Sequence, residues 1–399
     1  MHEHHNQHFD IVLVGAGLSS WLLVEALAQH KHFADLRILL LSEGQVNERS
    51  WCFWDTPLPA PFNAMADRSW SQLTFRSDAF AQTTPLSKLH YHYIPGKKFF
   101  NYFTTEFLEK HINIVLLEDK VHAIHGAPGR FLVAAHRHSY RAAQVYNSAF
   151  LGQKPSIELW QHFGGWFIET KTPCFNVEQA ELMDFNVPQT HGCSFIYVLP
   201  LSETRALVEL TFFSDRVLSK AEYAIELDTY IRTRFGNDFE ITDTEQGQIP
   251  MQQGVFQHTG QRGEINIGTL AGMVKPSTGY AFQRIREDSK ALAAAYYNNV
   301  APQRSSENNR FAFYDALLLW ILRNHPEAGK PIFTQLFKRC RTERILRFMD
   351  QRTSIWEEIG IFMRLPTAIF LKALFYHVLP VKAAKQPSTQ NIQVIAKRA

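Results

Sequence analysis

Three carboxylates stand out in the chain: Glu209 in RALVELTFF and Asp184 in ELMDFNV, both among apolar neighbours, and Glu245 in DTEQGQIPM, ahead of a Gly and a Pro. A carboxylate in such a setting is costly to bury ionised, so its pKa rises and it becomes a candidate general acid. Strand alternation places Leu207, Glu209 and Thr211 on one face and Val208, Leu210 and Phe212 on the other. Glu209 is therefore a candidate general acid, with an edge-strand glutamate facing water as the competing reading. None of the three has a His or Cys at metal-ligand spacing, and no Ser–His–Asp arrangement accompanies them, so no metal site is expected. His2, His4, His5 and His8 crowd into a polar tail, residues 1–8, read as unrelated to chemistry.

A second chemical feature opens the ordered chain. In FDIVLVGAGLSSWLLVEALAQ, Phe9 to Val14 is an apolar run suited to a buried parallel strand. Gly15 and Gly17 allow a tight turn and close approach of a ligand, and an apolar helix follows from Leu18. A second strand, Leu36 to Leu41, ends just before Glu43. This is the context a dinucleotide fingerprint requires, with phosphates at the helix N-terminus and the acid on the ribose hydroxyls. Ser20 stands where the third glycine is usual, a small residue that still permits close packing.

A related junction occurs in EINIGTLAGMVKPSTGYAFQRI. A short strand, Ile265 to Gly268, runs into Gly268, Ala271 and Gly272, and a helix is expected to start near Thr278 and Gly279. Two glycine-rich strand-to-helix junctions this far apart suit a large dinucleotide such as FAD better than NAD alone.

The elements that must position these groups follow from the texture of the chain. Its 399 residues correspond to about two or three domain-sized units. With 45% apolar and 20% charged residues, the composition is that of a folded protein. Forty-one basic against 38 acidic residues, with no basic stretch, argue against a nucleic-acid binder. Cys52, Cys174, Cys193 and Cys340 form no CxxC pair and read as reduced thiols. No signal peptide and no run of 18 charge-free apolar residues is visible, which argues against a membrane span.

A helix is expected over 99–112, with strands at 112–117, 131–135 and 144–150. From 161 to 255 the chain reads as aromatic, antiparallel β pieces. Residues 308–379 read as helices, the last of them, 361–380, interrupted by Arg364, Pro366 and Lys372. That segment suits a helix lying in a membrane interface, or one packed across the core. Trp51, Trp54 and Trp70 lie close enough to the cofactor strand to line an apolar cavity, or to be core.

The expected fold is α/β: a Rossmann-like, three-layer FAD-binding domain, an antiparallel β-rich substrate domain and a C-terminal helical part. The first FAD/NAD(P)-binding segment spans 9–150, the β-rich domain 151–255, the returning FAD segment 256–300, and the helical, membrane-contacting region 301–399.

Taken in order, WCFWD (51–55), MDFNV (183–187), FIYVLP (195–200), RALVELT (205–211), EQGQIPM (245–251) and GTLAGMVKPSTGY (268–280) resemble the flavoprotein lycopene cyclase family of carotenoid biosynthesis, bacterial type. The resemblance covers nearly the whole chain. It implies that Glu209 is the essential acid, that Glu245 and Gly247 belong to a Glu-x-Gly-x-x-Pro element, and that Asp184 and Glu245 support the site by charge or hydrogen bonding. Asn186 stands where the family often has Arg, and Thr269 where many FAD enzymes hold an aspartate.

The implied reaction is a non-redox isomerisation of the linear ψ end of lycopene to a β-ionone ring, giving β-carotene via γ-carotene. It requires reduced FAD, with NAD(P)H only as reductant. Trp51, Trp54, Phe195 and Tyr197 would wall a channel for the apolar C40 carotenoid and offer cation–π stabilisation. A bilayer-resident substrate implies a cytoplasmic protein peripheral at the inner membrane. The rival readings are a flavin-dependent reductase or hydroxylase of an isoprenoid or aromatic substrate, and a non-catalytic carrier of apolar ligands.

Overall fold

The computed structural model describes residues 8–378 apart from 45–48, 79, 153–156, 255 and 303–308. Most of the polar tail and the chain beyond 378 lie outside the described residues. His8 itself begins the first strand, opposite Arg141.

Ile11, Val12, Leu13 and Val14 are all buried, as a strand covered on both faces requires. This strand, His8–Val14, is central in an open sheet ordered Ile114–Glu118, Ile38–Ser42, His8–Val14, Ser139–Asn147, Phe131–Ala135, Val121–His125, with Ile265–Asn266 also on Ser139–Asn147. The first four strands and the 265–266 pair run parallel; the remaining two form an antiparallel extension. The Leu18–Ala28 helix follows the first strand, and its Trp21, Leu22 and Leu23 join a core with the later helix Phe282–Asn298.

The second sheet is ordered Phe239–Met251, Leu159–Thr170, Arg205–Ser214, Cys193–Pro200, Gln179–Asp184, Gln72–Ser77, Phe80–Pro85, antiparallel except where 179–184 meets 72–77. The segment 9–150, expected to serve the dinucleotide sheet alone, thus contributes two strands here. Leu73 and Phe75 explain it: both are buried in one core with Phe185 and the C-terminal helices. Trp51–Asp55, Arg68–Trp70 and His90–Ile94 form a small third sheet between the two.

A helix absent from the sequence expectation, Lys220–Phe235, covers one face of the second sheet, with Leu227 and Ile231 packed on Ile196, Val198, Val208 and Leu210. Its start carries a capping box: Ser219 Oγ accepts from the Glu222 backbone N–H and the Glu222 side chain accepts from the Ser219 N–H. That Ser-x-x-Glu pattern was legible in SKAE.

The expected 99–112 helix begins earlier, at Gly96, and continues through a wide turn at Phe103–Phe107 to Lys110. The expected 144–150 strand is Ser139–Asn147. The expected 361–380 helix is broken: Ile355–Phe362 ends before Pro366, and Thr367–Val378 restarts after it, the pair bent by 114°.

Candidate active site

The face of the second sheet opposite Lys220–Phe235 looks into a chamber of about 260 Å³. One transverse row builds its floor: Glu245, Gly165, Glu209 and Tyr197 are paired side by side across four strands. Gly165 is the key to the row. A Cβ there would come within 2.9 Å of Leu207 Cδ1 and 3.3 Å of Glu209 Cβ, so only glycine lets the two glutamates lean together across it. Gly247 works likewise, since a Cβ would collide with the Phe163 ring that lines the chamber.

Thr211 Oγ1 donates to Glu209 Oε1 at 3.2 Å, and Ser50 Oγ donates to Glu245 Oε2 at 3.0 Å. Burial holds the Glu209 carboxyl well above the usual carboxylate range, reinforced by the neighbouring Glu245 charge and the hydrogen bond the two carboxyls share. Burial also raises Glu245, but hydrogen bonds from Glu209 and Ser50 partly offset it. Glu209 is thus the more strongly raised member of a coupled carboxyl pair.

The walls are aromatic. Trp51, Tyr91, Tyr93, Phe163, Tyr197, Tyr280 and Phe282 all line the chamber, and the Tyr91 and Tyr280 hydroxyls meet at 3.1 Å. Of the four aromatics proposed for a channel, Trp51 and Tyr197 are on this wall. Trp54 and Phe195 do not line the chamber. Trp54 is turned behind Tyr280, ring centroids 4.6 Å apart, and its indole N–H donates to Asp350, whose carboxyl burial pushes up to about 6. Phe195 is fully buried between Phe185 and Phe213. Tyr91, Tyr93, Tyr280 and Ser50 went unnoticed in the sequence; the alternation in HYHYI was the available signal for the first two.

Asp184 lies on the other face of the sheet. It pairs with Ile196 rather than Tyr197, and its Oδ2 accepts from Tyr230 OH at 2.8 Å and Arg234 Nη1 at 2.9 Å, both on the Lys220–Phe235 helix. Its Oδ1 takes the Asn186 backbone N–H and Nδ2. Arg234 supplies the cation absent at 186 and grips Glu181 as well. Asp184 is therefore part of a buried structural ion network, not of the chamber.

A groove of about 440 Å³ adjoins the chamber and shares Leu18, Arg49, Trp51 and Thr269 with it. The Gly15–Gly17 turn forms one wall. Gly15 has φ +92°, and the Cβ position of Gly17 faces open space. Ser20 is buried and its hydroxyl donates to the Gly15 carbonyl, so the departure from glycine locks the turn. Glu43 lines the far end, just past the Ile38–Ser42 strand, 2.9 Å from Lys120.

The returning segment closes the other side. Gly268 (φ +64°) lies so near Ser19 that a Cβ would approach its Oγ to 2.7 Å, Ala271 is buried, and Gly272 has φ +75°. Thr278 and Gly279 line the chamber directly, although the helix starts later than expected, at Phe282. The Lys275 ammonium, bound to both Asp315 oxygens at 2.8 and 2.9 Å, anchors this segment to the Asn309–Asn324 helix.

Arg49 Nε, at the junction of groove and chamber, and Gln161 Oε1 and Thr278 Oγ1, both on the chamber, are buried without a hydrogen-bond partner among the described residues. A glycine turn open to an anion, the acid Glu43 past the second strand and these orphaned polar atoms together fit a flavin dinucleotide.

Residues 10–374 match the family described as lycopene cyclase protein. The chain belongs to that family. Among its relatives, the lycopene beta-cyclase of Paracoccus sp. (strain N81106 / MBIC 01143) is 29% identical over 88% of this chain and 92% of its own. The lycopene beta-cyclase of Pantoea ananas is 24% identical over 92% and 97%.

Among solved structures, a geranylgeranyl bacteriochlorophyll reductase-like protein from Thermoplasma acidophilum superposes with TM-score 0.60 at 11% identity, covering 94% of this chain and all of the other. A probable FAD-dependent monooxygenase from Pseudomonas aeruginosa gives 0.56 at 16%, covering 81% and 99%. At these identities the likeness is one of fold. This family member has a flavoprotein-like fold of mixed sheets and helices related to the folds of FAD-binding oxidoreductases.

Proposed function

We propose that the protein closes β-ionone rings on the linear ψ ends of lycopene by acid catalysis, without net redox change. The reading rests on one observation: the Glu209–Glu245 carboxyl pair, with Glu209 raised well above the usual carboxylate range, faces an aromatic chamber that adjoins the groove past the Gly15–Gly17 turn. The family membership and the names of the two relatives point the same way.

Glu209 gives its proton to C2 of the terminal double bond, leaving a tertiary cation at C1. The C5=C6 bond attacks C1, forming the C1–C6 bond and moving the cation to C5. Loss of the C6 proton restores a C5=C6 double bond, so substrate and product are isomers. Once Glu209 has released its proton, the pair carries two negative charges beside the cation, and the faces of Tyr197, Tyr280 and Phe163 add their quadrupoles.

Gly15, Gly17 and Glu43 would hold a flavin dinucleotide in a Rossmann-type opening unit, and Arg49, Thr269, Thr278 and Gly279 would border its ring. A reduced flavin, with NAD(P)H as reductant, would supply negative charge that stabilises the cation. The chamber excludes water, which would otherwise trap the cation as an alcohol. The 355–376 helix pair brings the protein to the cytoplasmic surface of the inner membrane, where a C40 hydrocarbon resides.

The fold likeness to a reductase-like protein and a monooxygenase favours a second reading, flavin-dependent reduction or hydroxylation of an isoprenoid or other apolar compound. Incubating the protein anaerobically with lycopene liposomes, FAD and limiting NADPH decides between them. Cyclisation yields a product of unchanged mass in excess of the NADPH supplied. Reduction changes the mass by two hydrogens, one-to-one with NADPH. Oxygen insertion fails anaerobically and appears only when air is admitted. A carrier leaves its pigment unchanged.

A further inference from the structure

Glu209 lines only the chamber, whereas Glu245 lines two cavities. Its second cavity, of about 350 Å³, lies at the end of the carboxyl row and is polar, with Asp67, Lys97, Arg205 and Asp243 among its lining. Its outer groups are exposed: Lys97 and Asp243, paired at 3.3 Å, keep more than half of their side-chain surface in solvent. Ser50 and Tyr93 border both cavities, their hydroxyls 3.1 Å apart, and Ser50 donates to Glu245. Glu245 therefore sits in the partition between an aromatic chamber and a solvent-facing vestibule, in hydrogen-bond contact with Glu209 on one side.

We infer that Glu245 is the port through which the acid Glu209 exchanges its proton with solvent, by way of the polar vestibule rather than the substrate chamber. The inference builds on the reading of Glu209 as the proton donor. A vestibule on the far side of Glu245 lets the carboxyl pair equilibrate its proton with solvent without opening the substrate chamber to water.

The proton count balances. Glu209 loses one proton to C2, the carboxyl pair recovers one from C6, and between turnovers Glu245 trades that proton for one from vestibule water. Asp243, two residues along the same strand, carries a carboxylate held low chiefly by the Thr244 backbone N–H, and its negative charge favours proton uptake at Glu245. The positive groups facing the vestibule are Lys97, Arg49 and Arg205. Lys97 is neutralised by Asp243, and Arg49 donates to the Gln248 carbonyl.

The test needs no substrate. The protonated Glu209 carboxyl has an infrared carbonyl band, assigned by its loss in Glu209→Gln, that shifts when the proton is replaced by deuterium. After mixing the full-length protein into D2O, that shift should be slowed by about a hundredfold in Glu245→Gln relative to wild type. Should that variant fail to fold, Ser50→Ala, which keeps both carboxyls and removes the hydroxyl beside Glu245, should slow the same shift. A wild-type exchange rate in the variant tested overturns the proposal.

During lycopene turnover in D2O, wild type should place a deuterium at C2 of each ring. Glu245→Gln should place less, because protium taken from C6 is reused. Equal labelling would also overturn the port. Failure of the cyclase reading looks different: wild type then makes no isomeric product, whatever its exchange rate.

Discussion

Glu209 and Glu245 stand on either side of Gly165 in one transverse row of the second sheet, on strands that do not pair with each other. Burial raises both carboxyls and the neighbouring Glu245 charge raises Glu209 further, so the two titrate as a pair, and the missing Cβ at Gly165 leaves room for them to approach.

Glu209→Gln keeps the shape and removes the proton. Ring closure should fall by about 10²- to 10⁴-fold, with flavin content unchanged. In wild type, product formation should decline as pH rises through the raised Glu209 pKa, because the protonated form is the active one. Stability carries the same sign. A carboxyl bound more tightly to its proton in the folded state contributes stability below its unfolded value near 4.5, and that contribution is lost as pH rises through the folded value. Asp350, near 6, acts in the same direction in both proteins. Melting temperature should therefore fall less with rising pH in Glu209→Gln than in wild type.

Gly165→Ala tests the row itself. Its methyl group would press on Leu207 and Glu209, at an expected destabilisation of about 1–3 kcal/mol. By pushing the glutamates apart it should weaken their coupling, moving the alkaline limb of the pH–rate profile to lower pH. A drop in melting temperature with an unmoved limb would show that the two carboxyls do not communicate across Gly165.

Much of this site was legible before folding. Glu209 announced itself by charge in an apolar strand, and the glycines at 15, 17, 268, 272 and 279 by their place after strands. Asp184 shows the limit. Its apolar neighbours are as suggestive as those of Glu209, but which face a strand residue takes depends on its register with a partner, and a bulge between Glu181 and Asp184 sets that register. Gly165 was equally mute: a glycine in a strand signals close approach, but only the two flanking strands reveal of what. Trp54 and Phe195 failed as channel residues because tertiary neighbours bury them: Trp54 packs on Tyr280 and bonds Asp350, and Phe195 packs between Phe185 and Phe213.

The Asp184 network can be separated from chemistry. Arg234→Met leaves Glu181 and Asp184 buried without their shared cation, and should cost about 3–5 kcal/mol of stability. The pH profile of the surviving folded fraction, measured well below its melting temperature, should match wild type. A shifted profile would instead link Asp184 to the carboxyl pair through the sheet.

The last prediction concerns the bent pair Ile355–Phe362 and Thr367–Val378. No single helix among the described residues is long and apolar enough to cross a membrane. The pair is two-faced: Ile361, Leu365 and Ala373 belong to the core, while Trp356, Met363, Leu371 and Phe375 are 79%, 76%, 59% and 68% exposed. Arg364 and Lys372 are exposed as well, the residue type that suits a helix face against lipid headgroups. Burying a large apolar side chain is worth about 1.5–3 kcal/mol. Trp356→Ser combined with Phe375→Ser should therefore weaken vesicle binding by at least about tenfold, since each tenfold corresponds to about 1.4 kcal/mol. Melting temperature should barely move, because both side chains already stand in water. Undiminished cosedimentation of the double variant with liposomes would place the membrane contact elsewhere on the protein.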